Sequence, residues 1–130
     1  MPTLNLKQIL ALDAISCLVM FLLCLFATSL ISSLTGLPAI VLTVAGWILL
    51  ASAAIMATVA LQAPARAAGV QLIVLGNLLW VAASVLLAFF FWPQLTPLGV
   101  IIIAAQAAAV LLFAWGEAKG AARLSAVSPA

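Results

Sequence analysis

The chain contains only two carboxylates, Asp13 and Glu117, and each lies near one end of a long apolar stretch. A carboxylate in such surroundings can hold a proton, bind a cation or anchor a polar ligand. Leaving it charged and alone at a bilayer centre costs on the order of +3 kcal/mol, and less near the interface. Asp13 heads the series Asp13, Cys17, Met20, Cys24 and Ala27, spaced +4, +3, +4, +3. At helical period these residues share one face, the only weakly polar face of their segment, while Leu, Ile, Val and Phe cover the rest.

Partners for the acids come from the amides. Counted from the helix ends, Gln71 and Asn77 fall at the same depth as Asp13 and Glu117, so the four could form one polar layer. Asn77 is the strongest of them, because an unpaired amide in hydrocarbon costs several kcal/mol on transfer scales, on the order of 4–8. An Asp13–Asn77 hydrogen bond is expected as a packing clamp first and a site second. Gln106, near the middle of the last apolar run, suits interhelical bonding and equally the lining of a small cavity. Trp80, three residues after Asn77, suits bulk filling or the wall of a pocket.

Two readings of this set stand side by side. In one, Asp13, Asn77 and Glu117, with Gln106 and Trp80, handle a proton, a cation or a small amphipathic ligand. In the other, Asp13 is a structural carboxylate satisfied by water, by Lys7 or Arg66, or by a neighbouring amide.

Much chemistry is excluded. There is no histidine and no tyrosine, which removes His-ligated haem, His-ligated metal and imidazole acid–base catalysis. No HExxH, CxxC or Gly-rich phosphate loop occurs, so no metal, no cofactor and no enzymatic activity is expected. Cys17 and Cys24 are two helical turns apart, about 10 Å, too far for a disulfide. A net charge of +2, scattered along the chain, gives no footprint for nucleic acid.

The elements that must position these residues follow from hydropathy. With 130 residues, 69% hydrophobic and 5% charged, the composition lies outside the range of soluble domains. Four apolar runs, about 9–31, 39–61, 69–91 and 98–115, are each long enough to cross a hydrocarbon layer of about 30 Å. The expected fold is an all-α membrane bundle of four antiparallel transmembrane helices, a single transmembrane domain over 1–130. The lipid bilayer is its environment, and a disordered tail is expected over about 120–130. Small residues at heptad spacing, Gly46 and Ala53 in the second run and Gly69, Gly76 and Ala83 in the third, mark seams for close helix packing. Those seams also suit a homodimer or a larger membrane complex.

Lys7, Arg66, Lys119 and Arg123 all fall on the side shared by the N-terminus, the middle loop and the C-terminus. That places both termini in the cytoplasm. A short echo links Leu34-Thr35-Gly36-Leu37 with Leu95-Thr96-Pro97-Leu98, as two tandem hairpins would produce.

Leu12-Asp13-Ala14, Gly76-Asn77-Leu78-Leu79-Trp80, and Leu95-Thr96-Pro97-Leu98-Gly99 followed by Ala105-Gln106-Ala107 together resemble an uncharacterised bacterial family of short four-helix integral membrane proteins. The resemblance spans nearly the whole chain. It implies a bundle in the bacterial inner membrane and no particular activity. The expected function is that of a non-enzymatic packing or accessory subunit, or a self-associating bundle. The alternative is a proton- or cation-linked transporter or binder built on Asp13, Asn77 and Glu117.

Overall fold

The computed structural model describes residues 5–62 and 65–127. Those residues form five α-helices: α1 (Leu6–Phe26), α2 (Thr28–Thr35), α3 (Ala39–Leu61), α4 (Ala67–Phe90) and α5 (Pro97–Val127). Four of these, α1, α3, α4 and α5, are long and apolar enough to cross a membrane. Hydrocarbon offers no partner for a backbone N–H or C=O, so each span must satisfy its own, and a helix does that. Large apolar side chains cover the outward faces, among them Phe26, Leu86, Phe90 and Leu112. That surface suits lipid and not water.

Local signals set the ends of the elements. Asn5 and Gln8 form a reciprocal capping box at the start of α1: the Asn5 side chain accepts from the Gln8 amide at 2.8 Å, and the Asn5 amide donates to Gln8 Oε1 at 3.1 Å. The first expected span, 9–31, is not one helix. It breaks at Ala27, where the Thr28 hydroxyl donates to the Cys24 and Leu25 carbonyls. Such back-bonding competes with the helical ladder and bends it. The chain leaves α2 through Gly36 at φ 83°, a left-handed conformation that favours glycine. A short 3₁₀ turn, Trp92–Gln94, links α4 to α5. Thr96 then caps α5 by accepting from the Gly99 amide at 2.9 Å, with Pro97 at the first helical position.

The expected disordered tail is helical as far as Val127; residues 128–130, like 1–4 and 63–64, lie outside the described residues. Two causes extend α5 past Trp115. Its last turns are rich in Ala with Glu, Lys and Arg, all good helix formers. They also lie against the start of α1, where Gly116 and Gly120 face the side chains of Ile9 and Leu6 and Ala121 is buried.

The helices associate as two pairs. The α1 helix packs along α3, and α4 packs along α5. The pairs then join chiefly through α1 and α5, and only lightly through α3 and α4. The α1–α3 seam uses Gly46 and Ala53, both buried. A methyl at Gly46 would meet Cys24 Cβ at 3.2 Å. Gly69 faces Val59, which a methyl there would meet at 3.1 Å. The continuation of that seam is corrected by the structure: Gly76 and Ala83 are exposed, and a Cβ at Gly76 meets nothing within 4 Å. The buried face of α4 is instead Val70, Ile73, Asn77 and Ser84, one residue and about 100° round from Gly76.

The expected effect of bulk follows from that rotation. Gly76→Leu should leave stability in detergent within about 0.5 kcal/mol of the parent, whereas Gly46→Leu should cost about 2 kcal/mol by overpacking. Thermal denaturation of the two variants in the same micelle checks this. Comparable losses would put Gly76 back inside the bundle.

Candidate functional site

Asp13 sits two turns into α1, Asn77 on the inward face of α4, and Glu117 on α5 where it runs back past the start of α1. The antiparallel arrangement brings the three together in one layer. The Asn77 Nδ2 group donates to Asp13 Oδ2 at 2.8 Å and to Glu117 Oε1 at 2.7 Å. Two carboxylates only accept, so the NH₂ end of the amide must face them. The Cys17 thiol, one turn further along α1, donates weakly to Asp13 Oδ1 at 3.8 Å. Asp13 is 1% exposed, Asn77 6% and Glu117 0%. Gln71, expected in this layer, is exposed on the outer face of α4.

No basic side chain serves the acids. Lys7, Arg66, Lys119 and Arg123 are all exposed, and Lys119 lies 4.0 Å over the Trp115 ring. Among the described residues, the donors to the carboxylates are Asn77 and Cys17, Glu117 Oε2 is buried with no donor, and the Asp13 and Glu117 carboxyls are within hydrogen-bonding reach of each other. Sharing one amide brings the two carboxyl groups close enough to hydrogen-bond to each other, which needs a proton on one of them. Two full charges about 4 Å apart repel by about 4 kcal/mol at an effective dielectric constant of about 20. A proton or a small monovalent cation added to the layer would relieve that repulsion. The arrangement is also a mechanical tie, since one amide holds α1 and α5 to α4.

A second polar set lies deeper along the same faces. Trp80 Nε1 donates to Gln106 Oε1 at 2.8 Å, and Gln106 Nε2 donates to Ser84 Oγ at 3.0 Å and to the Ile103 carbonyl at 2.9 Å. The Ser84 hydroxyl donates to the Trp80 carbonyl at 2.8 Å. The residues grouped from sequence as one candidate site therefore fall into two: Asp13, Asn77 and Glu117 in one layer, Trp80 and Gln106 in another. Ser84 and Cys17 complete these layers. Spacing carried a signal for both: Ser84 is seven residues after Asn77 and so lies on the same inward face of α4, and Cys17 is four after Asp13 and so shares its face of α1.

The second set borders a cavity of about 390 Å³ in the half of the bundle away from the chain termini. Its walls come from both helix pairs, including Met20, Cys24, Leu49, Leu87 and Ile103, with Trp80, Ser84 and Gln106 among them. Asp13, Asn77 and Glu117 do not line it. Among the described residues, no group of three or more His, Cys, Asp or Glu is placed to hold a metal ion.

Comparison of the chain with protein-family models, with curated proteins and with solved structures finds no match.

Proposed function

We propose that the protein is a non-enzymatic, multi-pass protein of a bacterial cytoplasmic membrane, a packing or accessory bundle. In it Asp13, Asn77 and Glu117 form the internal clamp that holds three helices in register. One observation carries the reading: the cluster is closed. Both acids are almost wholly buried, and the cavity is walled by other residues, so it gives no substrate a route to the acids. Transport through Asp13 would need one.

Charge supports the orientation with both termini cytoplasmic. Lys7 opens α1, Arg66 precedes α4, and Lys119 and Arg123 lie in the last turns of α5, while the two connections at the other end carry no Lys or Arg. The bacterial source rests on the resemblance of the short motifs. Association with a second copy or a larger membrane complex is supported by the outward face of α4, where Gly76 and Ala83 leave room for a neighbouring helix.

A second reading, a proton-linked or cation-linked transporter or binder, is favoured by the unpartnered Glu117 Oε2 and the lack of a basic partner. Substitution of Asp13 separates the two. Under the clamp reading Asp13→Asn, which fills the same volume and can still accept from Asn77, should cost less than about 1 kcal/mol. Asp13→Leu should cost about 1–2 kcal/mol, because it removes one acceptor of the Asn77 amide. Proton-coupled uptake or binding in lipid vesicles that the parent shows and Asp13→Asn abolishes, with the fold intact, would replace the clamp with a proton site.

A further inference from the structure

The cavity is a binding site of a different kind from the acid layer. Every side-chain N–H and O–H that lines it is already committed within the protein: Trp80, Ser84 and both N–H groups of Gln106 as described, and the Thr35 hydroxyl to the Ile31 carbonyl at 2.7 Å. No charged side chain borders it. Water entering would find no free donor, and apolar cavities of this kind stay dry. A polar ligand would lose its hydration for the same poor return. What the walls offer is dispersion contact with aliphatic side chains.

Access is from the side. The α3 and α4 helices touch where Gly69 meets Val59, near their connection, and make little contact elsewhere. On the far half, Ile40, Val44 and Ile48 of α3 and Ala83 of α4 both line the cavity and are exposed. That lip runs from the start of α3 for about 12 Å along the helix axis. It therefore spans the depth that one leaflet's hydrocarbon occupies, about half of 30 Å. A volume of about 390 Å³ lies at the lower end of the range of about 300–1,000 Å³ for ligand pockets, enough for one hydrocarbon chain and not for two.

We propose that this cavity holds one acyl chain of a bilayer phospholipid, which enters sideways between α3 and α4 and ends against the Trp80–Gln106–Ser84 floor. The headgroup stays at the membrane surface beside the start of α3. The site is independent of the clamp and would persist if the acid layer proved to be a proton site.

The test uses the full chain with Trp80 as its only tryptophan (Trp47→Phe, Trp92→Phe, Trp115→Phe), in phosphatidylcholine vesicles brominated along one acyl chain. Flotation with the vesicles establishes insertion first; a chain left in the aqueous layer would overturn the proposal together with the membrane reading. Quenching of Trp80 is expected to be at least twofold greater than in the same chain carrying Ala45→Phe, whose ring fills the cavity from α3. Ala83→Phe fills it from α4 and replaces Ala45→Phe if that variant does not fold. Equal quenching with the cavity open and filled overturns the proposal. Native mass spectrometry from mild detergent gives a second readout: one phospholipid retained per parent chain supports it. A parent that carries a small polar molecule, or no lipid in excess of the filled variant, overturns it.

Discussion

Asn77→Leu should lower the unfolding free energy by about 3–5 kcal/mol, the range seen when one partner of a buried charged group is removed. Leucine has a similar branched shape but neither N–H. Asp13 Oδ2 and Glu117 Oε1 would lose their shared donor and join Glu117 Oε2, which has no partner in the parent. Hydrogen bonds within membrane bundles average only about 0.6 kcal/mol, with a maximum near 1.7, so two of them account for about 1–3 kcal/mol at most. The rest of the loss comes from two acids left facing each other without a donor. A triple variant, Asp13→Leu, Asn77→Leu and Glu117→Met, removes every polar partner at once. It should therefore fall within about 2 kcal/mol of the parent, because apolar replacement of a complete buried set is near neutral. Denaturant titration in mixed micelles reads both. A single variant no worse than the triple would mean that the cluster is not the tie between α1, α4 and α5.

Gly99→Ala should do comparable damage at the opposite end of the bundle, about 3 kcal/mol, for steric reasons alone. The added methyl would overlap the backbone carbonyl of Thr35. Backbone cannot swing aside as a side chain can, so α2 and α5 would have to part. Their separation would break the bond from the Thr96 amide to the Thr35 carbonyl, 3.0 Å, and that from the Thr96 hydroxyl to the Leu34 carbonyl. Gly116→Ala, in the same helix, supplies the comparison. It gains the same helix propensity, but its methyl would meet only the mobile end of Ile9, at 3.1 Å. Its cost should stay below about 1 kcal/mol. The same denaturant titration checks the pair, and similar losses at both sites would show that the α2–α5 junction is not rigid. Thr35 and Leu37 also line the cavity, so Gly99→Ala should reduce lipid retention as well as stability.

The junction is also where the two echoing tetrapeptides lie. Leu34-Thr35-Gly36-Leu37 and Leu95-Thr96-Pro97-Leu98 touch each other through the Thr96 bonds to Leu34 and Thr35. Their likeness is thus matched by a shared contact, which neither segment alone announces.

Length and hydropathy were enough to read the four helices. In hydrocarbon a chain must satisfy its own backbone, so an apolar run of sufficient length has essentially one way to fold. The acid layer was also largely legible. Polar groups are rare in such a chain, and counting residues from the helix ends gives their depth. Asp13, Asn77 and Glu117 could be placed together on that basis before any contact was known. Depth did not determine rotation, and there the sequence is silent. A soluble helix marks its buried face by contrast with a polar one, but in lipid both faces are apolar. Gly76 and Ala83 therefore look like a packing seam, and Gln71 like a member of the polar layer, until α4 is set against α5. Only that packing turns Asn77 inward and Gly76 and Gln71 outward. The break at Ala27, the extension of α5 along the start of α1 and the cavity beneath Trp80 were decided in the same way. Each depends on which surfaces meet, and a one-dimensional pattern of nearly uniform hydropathy does not encode that.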